Sequence, residues 1–469
     1  MSTLEPPDWI EPRAYQRTAI QRWVETGGKG TLHMATGTGK TITALLTAAH
    51  VADSLDQGLL LVVTVPYQHL VDQWATELAE FGVDPVLAYQ SRTDWQPRLE
   101  RELLEFNHGS RSLSVVVSTH RTLSMDPAQQ TLQRATGAVM IIADEVHHLG
   151  AEQMRTGLSK EFDFRLGLSA TPERWYDEDG TRALRQYFGD TVFKYGLSQA
   201  IESGSLCEYY YVPHIVELAA EEVEEYQRLT GKIGRLSAAS SDDVALEDNP
   251  ALQQALFKRA RLIGTARNKL DVLIDLLKQE SDVSHTLVYC SDGSTSVDPN
   301  EGERHVDATT KRIRAETDLT VKQFTARESQ SEREELLSQF EDGDIDILTS
   351  IRCLDEGVDI PATKNAYVLA STSNPRQYVQ RRGRILRTHP SKDFAVIHDF
   401  ITVPSVNGLP AFLSGKEYEA DRRLIENELE RVSTFADAAR NHPDADVDGI
   451  PTTDGSLQHL RRQYDLLGS

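Results

Sequence analysis

Between Leu59 and Val65 the chain reads Leu-Leu-Leu-Val-Val-Thr-Val, and similar apolar runs recur at 113–118 and 139–143. These runs lack the alternation of a strand with one wet face, so they predict strands covered on both sides, as in a parallel sheet. Between them the period changes. Positions 41–52 and 68–81 carry apolar residues three and four apart, which predicts helices. Parallel neighbours require a crossover connection, usually a helix, so residues 30–168 are expected to form an α/β lobe.

After Cys207 the texture shifts to a long charged stretch, 219–278, interrupted by Ser and Asp at 237–243, and this predicts inserted helices. Strand-like runs return at 286–290, 345–350, 366–370 and 394–397, with a helix expected at 331–340, so a second α/β lobe follows. Glu, Arg and Leu at helical spacing over 416–440 predict a helical tail. The expected organisation is a first lobe at 1–205, a helical insertion at 206–268, a second lobe at 269–405 and a helical tail at 406–469. A chain of 469 residues is long enough for two or three domains, each with its own core.

Composition narrows the class. An apolar fraction of 39% and a charged fraction of 26% are those of a globular protein, and no run approaches the roughly 20 apolar residues of a membrane span. Residues 1–9 carry acidic residues and prolines where a secretory leader has a basic end and an apolar core, so a cytoplasmic protein with no membrane partner is expected. Cys207, Cys290 and Cys353 are far apart and unpaired in spacing, which argues against a disulfide framework or a thiolate zinc site. The net charge of −23 opposes long-range attraction of polyanions. A salt-rich interior would screen it, the Debye length being about 3 Å at 1 M salt.

Three segments carry candidate chemistry. Met34-Ala-Thr-Gly-Thr-Gly-Lys-Thr41 joins a predicted strand to a predicted helix, with Met34 where such loops usually have their first glycine. Backbone N–H groups of Gly37, Thr38 and Gly39 can cradle phosphate oxygens, Lys40 can reach the β- and γ-phosphates, and the Thr41 hydroxyl can ligate Mg²⁺. Ile141-Ile-Ala-Asp-Glu-Val-His-His148 ends an apolar run in two carboxylates, at the sheet edge where ligands bind in open α/β folds. Asp144 is the candidate for holding Mg²⁺ and Glu145 for activating water. His147 is open to two readings, a satisfied polar residue at a strand end or a coupling group. Leu166-Gly-Leu-Ser-Ala-Thr-Pro172 favours coupling, because Ser169 and Thr171 end another strand and can exchange hydrogen bonds with the Asp-Glu-Val-His segment.

The order of these elements resembles the superfamily two helicases, and the second half extends the resemblance. Gln377-Tyr-Val-Gln-Arg-Arg-Gly-Arg-Ile-Leu-Arg387 is similar to that superfamily's arginine-finger motif, with Gln380, Arg384 and Arg387 at matching positions. Cations there would neutralise charge developing on the γ-phosphate. The run 347–361 resembles the preceding motif, in which Gly357 and Asp359 match interlobe and nucleotide contacts and Thr349 and Ser350 match backbone contacts to nucleic acid. Arg13-Ala-Tyr-Gln16 resembles the adenine-reading element, whose Gln16 amide can pair with the base edge, so ATP is the implied nucleotide. Val65-Pro-Tyr-Gln-His-Leu-Val-Asp-Gln-Trp74 and Val117-Ser-Thr-His120 match phosphate-tracking segments, which puts Pro66, Gln73, Ser118 and Thr119 on the list of nucleic-acid contacts. Leu70 and Trp74 within them read as packing residues rather than base-stacking ones.

The resemblance spans 13–387 and implies two tandem RecA-like lobes that use ATP and Mg²⁺. The Asp-Glu-Val-His signature resembles restriction-enzyme motor subunits and eukaryotic-type repair helicases more than RNA helicases, so duplex DNA is the implied track. Chain size and layout also resemble restriction helicases of DNA phosphorothioation systems. Three functions follow: a restriction or defence motor working with a nuclease or other defence subunit, a repair helicase, or an ATP-gated DNA clamp that does not move.

Overall fold

The computed structural model describes residues 3–159, 162–173, 177–239, 249–293, 303–325, 327–351, 358, 360–370, 375–404, 415–442 and 461–462. Gly357, Asp359 and Cys353 lie outside the described residues. The chain divides into two compact units, Met1–Ser203 and Gly204–Ser469.

The first unit contains seven strands: β1 Lys29–Met34, β2 Leu59–Val65, β3 Val86–Ala88, β4 Leu113–Thr119, β5 Ala138–Ala143, β6 Phe164–Ser169 and β7 Thr191–Tyr195. All pair in parallel, in the order β3-β4-β2-β5-β6-β1-β7. Every residue of β2, β4 and β5 is buried, so the unbroken apolar runs correspond to central strands with helices on both faces. One core layer gathers Leu60, Val62, Trp95, Leu99, Phe106, Ile141 and Phe188. Two glycines let the layers close: a Cβ at Gly137 would lie 2.6 Å from Phe106 Cζ and 2.8 Å from the Gly58 carbonyl.

This strand order brings the carboxyl ends of β1, β6 and β5 side by side. The register aligns His33 with Ser169 and Ala143 with Gly167, so the loops leaving the three strands start at one level.

The second unit has six parallel strands: β8 Glu208–Glu217, β9 Thr286–Tyr289, β10 Val321–Phe324, β11 Ile347–Ser350, β12 Asn365–Val368 and β13 Phe394–Val403, ordered β10-β11-β9-β12-β13-β8. The segment 206–268, expected to be a helical insertion or linker, opens instead with β8, which pairs with β13 along ten residues. Pro213 sits within it, a residue tolerated only where a strand has a free edge. The inserted helices then follow as Ala220–Ala239 and Pro250–Gly264, joined through Tyr226, Leu229, Leu262 and Ile263.

The tail helix Gly415–Ala436 packs against β8 and the first inserted helix, so it is part of the second unit. Beyond it, the Arg440 N–H donates to the Tyr209 carbonyl at 2.8 Å. The Asn441 side chain accepts from the Tyr211 N–H and donates to the Tyr211 carbonyl, both at 2.9 Å. Beneath the helix, Arg431 bonds Asp399 at 3.0 Å and Glu428 at 2.6 Å, all three buried, and the Tyr211 hydroxyl donates to Asp399 at 2.8 Å. Among the described residues no helix is long and apolar enough to cross a membrane.

Candidate nucleotide site

The loop after β1 turns on two glycines with left-handed backbones, φ 84° at Gly37 and 72° at Gly39, conformations costly for residues bearing a Cβ. The helix Lys40–Ser54 begins directly after Gly39, which leaves its first N–H groups facing the loop. Lys40 folds back so that Nζ donates to the Met34 carbonyl at 3.4 Å and lies 3.8 Å from Glu145 Oε1. The cation and the candidate base therefore meet at the ends of β1 and β5.

Asp144 is half-buried. Its Oδ1 accepts the Glu145 N–H at 2.9 Å and its Oδ2 accepts the Trp74 indole N–H at 3.1 Å. Burial pushes its carboxyl pKa up, and the neighbouring Glu145 charge adds to this, against Lys40 and the two N–H donors. A divalent cation would relieve both. Among the described residues no three carboxylates, imidazoles or thiols converge, so a cation here would draw on Asp144, the Thr41 hydroxyl, phosphate and water. Such hard oxygen donors, few of them from protein, suit Mg²⁺.

Glu145 has a left-handed backbone, φ 44° and ψ 50°, unusual for a residue with a side chain and typical of strained functional turns. Its Oε2 lies 3.4 Å from Ser169 Oγ and 3.5 Å from His147 Nδ1, and those two atoms are 3.1 Å apart. Ser169 Oγ also accepts the Thr171 N–H at 3.0 Å. A serine hydroxyl has one proton and two lone pairs, so directing the proton at Glu145 matches the lone pairs to Thr171 N–H and an Nδ1–H of His147. Of the two residues expected to bond the Asp-Glu-Val-His segment, Ser169 does so across β5 and β6, whereas Thr171 reaches it only through its N–H to Ser169.

Gln16 is buried, its Oε1 accepting the Arg13 N–H at 2.9 Å and its Nε2 donating to Thr43 Oγ1 at 3.1 Å. One N–H and one lone pair of that amide remain for a ligand. Arg13 is exposed at the start of the helix Ala14–Glu25.

Four candidate nucleic-acid contacts have side chains turned inward. Ser118 Oγ donates to the Val63 carbonyl at 3.4 Å, and Thr119 Oγ1 caps the turn at 120–123 by accepting the Thr122 N–H at 3.1 Å. Thr349 Oγ1 meets Thr310 Oγ1 at 2.7 Å, and Ser350 Oγ donates to the Ile351 carbonyl at 2.6 Å. All four are buried, so these hydroxyls serve strand ends and turns. Pro66 is half-buried and Gln73 exposed.

In the second unit, Gln380, Arg384 and Arg387 belong to or follow the helix Pro375–Ile385. Gln380 is buried, Arg384 and Arg387 are half-buried, and the Arg384 guanidinium donates to the Val358 carbonyl. Backbone pairing of 206–207 with 386–387 fixes the exit of this helix.

Sequence reasoning missed three residues of the first site. Trp74 packs in the core, as expected, and also holds Asp144; a buried indole N–H requires an acceptor, but nothing local names which. Tyr15 stacks on Tyr195, ring centroids 4.0 Å apart, and donates to the Thr38 carbonyl at 2.8 Å, steadying the loop from outside. His120 joins β2 to β4 through Thr64 Oγ1 at 2.9 Å, and burial, then His148, pull its pKa down to about 3, so it is neutral.

Two family models match the chain: the res subunit of type III restriction enzymes over residues 9–174, and the helicase conserved C-terminal domain over 268–389. The chain belongs to the superfamily two helicases. This ATP-dependent helicase is 26% identical over 398 residues to the DNA 3'-5' translocase XPB2 of Sulfurisphaera tokodaii, covering 81% of the chain and 79% of that protein. It is also 26% identical over 385 residues to a Haloarcula marismortui protein described as a candidate DNA 3'-5' helicase Rad25, covering 80% of the chain and 50% of that protein. The helicase thus spans about half of the Haloarcula relative's length. Among solved structures, the DNA-bound type ISP restriction-modification enzyme LlaBIII shares its fold at TM-score 0.63 and 16% identity, over 98% of this chain and 32% of that one. The Hef helicase domain of Pyrococcus furiosus does so at TM-score 0.54 and 15% identity, over 86% and 98%.

Proposed function

We propose that this helicase hydrolyses Mg²⁺-bound ATP at the ends of β1, β5 and β6 and uses the energy to move along duplex DNA. The observation that carries the reading is the approach of Lys40 to Glu145 at 3.8 Å, with Glu145 tied through Ser169 to His147. Lys40 and the loop N–H groups bind the phosphates, Gln16 reads the adenine edge, and Asp144 with Thr41 holds Mg²⁺, which supplies charge neutralisation when bound. Glu145 orients water and takes its proton. Arg384 and Arg387 supply positive charge to the γ-phosphate as it leaves. Release of product changes the Glu145–Ser169–His147 bonds, and alternating grip on the phosphate backbone turns this into steps.

A motor for restriction or defence is the first reading, supported by the type III restriction model and the DNA-bound restriction neighbour. A repair role is the second, supported by the XPB2 relative. ATPase measured with single-stranded DNA, duplex DNA, modified DNA and RNA tests the track. Stimulation by RNA alone would sink the proposal. Forked-duplex unwinding favours repair, ATPase without unwinding favours a restriction translocase, and failure to displace a triplex would leave only a static clamp. Lys40→Ala, Glu145→Gln and Arg387→Ala should each abolish turnover in folded protein, with Glu145→Gln still binding ATP.

A further inference from the structure

The end of the tail helix and the arginine-bearing helix Pro375–Ile385 share one cage. Phe435 is 3% exposed, stacked on Tyr211 with centroids 5.2 Å apart and flanked by the Tyr378 ring at 5.6 Å. The Arg382 guanidinium lies over the same ring at 5.0 Å and donates to the Thr434 carbonyl at 2.5 Å. The Phe435 carbonyl accepts from the Tyr209 hydroxyl at 2.5 Å. The last carbonyls of a helix lack internal partners and carry its negative end, so a guanidinium capping them gains both a charge-assisted bond and the dipole. The same cation held over an aromatic face adds a further attraction.

Tyr378 and Arg382 stand four residues apart, on one face of their helix. Arg384 falls about 200° further round from Arg382, near the opposite side. The face holding the tail is thus not the face offering Arg384, and the tail clamps the helix from behind. Arg384 is separately tied to the Val358 carbonyl, and Arg381 to the Ala370 carbonyl at 3.3 Å and the Tyr289 ring at 5.1 Å. The tail itself is anchored by the buried Arg431, Asp399 and Glu428 group.

We infer that Phe435 and Arg382 are positioning residues through which the tail helix fixes the rotation and depth of the helix bearing Arg384 and leading into Arg387. The inference rests on the role proposed above for Arg384 and Arg387. A displacement of about 1 Å in a catalytic group can cost about a hundredfold in rate, so a clamp acting only from behind can still control turnover.

The test compares the full chain with Phe435→Leu, Arg382→Met and Arg382→Lys, each checked by thermal melting, in DNA-stimulated ATPase and in amide hydrogen exchange over 375–387. Phe435→Leu keeps an apolar side chain in the cage and loses the ring. Its kcat is expected to fall roughly tenfold to a hundredfold, with KM for ATP within about threefold and exchange across the helix at least about tenfold faster. Arg382→Met should behave alike, whereas Arg382→Lys, which keeps a cation at the helix end, should recover most of kcat. If Phe435→Leu does not fold, the two Arg382 variants decide the matter. Unchanged exchange in the folded variants overturns the inference whatever the ATPase does. Faster exchange with full kcat, beside an inactive Arg387→Ala, overturns the positioning role. Full turnover by Arg387→Ala removes the finger reading instead.

Discussion

Replacing Trp74 with Phe isolates a single hydrogen bond in the nucleotide site. The indole N–H to Asp144 Oδ2 contact, 3.1 Å long, is one of two donors holding a carboxylate that burial and Glu145 both drive toward protonation. Phe keeps an aromatic ring in a position 1% exposed and deletes three ring atoms, the donor among them. A hydrogen bond to a charged group contributes about 1.5–3 kcal/mol, so its loss raises the proton affinity of Asp144 roughly tenfold to a hundredfold. The bond favours the ionised form, its removal raises the pKa, and the ionised fraction at any given pH falls. The acid limb of the ATPase profile should therefore move to higher pH, while the rate at alkaline pH stays near that of the parent. Added Mg²⁺ should move the limb back, because metal and proton compete for the same oxygens. A folded Trp74→Phe protein whose acid limb coincides with the parent's, at limiting Mg²⁺, would refute the reasoning.

Other substitutions probe separate links. Ser169→Ala removes the hydroxyl shared by Glu145, His147 and Thr171, so basal ATPase should stay within about threefold while stimulation by DNA drops about tenfold; equal stimulation in both proteins would remove the coupling role. Arg431→Met strands Asp399 and Glu428 as buried carboxylates without their cation, and should cost the second unit about 3–5 kcal/mol in urea unfolding, unless its midpoint is unmoved. Lys269 is fully buried, donates to the Leu369 carbonyl at 2.6 Å, and has its pKa pulled down to about 7 by burial. Its folded pKa lies below its unfolded one, so the unfolded chain holds the extra proton between them. Stability is then greatest above the unfolded pKa and declines as pH falls toward about 7, by up to about 1.4 kcal/mol per pH unit. Lys269→Met should flatten that slope, and chemical melts between about pH 7.5 and about pH 9 would read it.

Central strands were legible because burial on both faces writes itself as an unbroken apolar run: β2 begins and ends where its pattern does. The strand β8 was not, since Glu208, Pro213 and His214 break both the apolar run and the alternation, and only its position at a sheet edge allows them. At the site, Lys40, Asp144, Glu145 and Ser169 could be named because the chemistry needs those residue types at strand ends in a fixed order. Trp74 and Tyr15 could not be assigned roles, because their partners Asp144 and Tyr195 lie 70 and 180 residues away and are fixed only by strand order. Ser118, Thr119, Thr349 and Ser350 show the converse, hydroxyls whose motif positions suggested an outward task while backbone groups and, for Thr349, the Thr310 hydroxyl had already engaged them.

The amide of Asn441 copies, in one side chain, the donor and acceptor that a neighbouring strand would offer Tyr211. With Arg440 alongside, it covers the outer margin of β8 at Tyr209 and Tyr211, where open backbone groups would otherwise be a template for foreign chains. A chain cut ahead of position 440 would expose that margin and self-associate in proportion to its concentration, even with every ATP-binding residue in place.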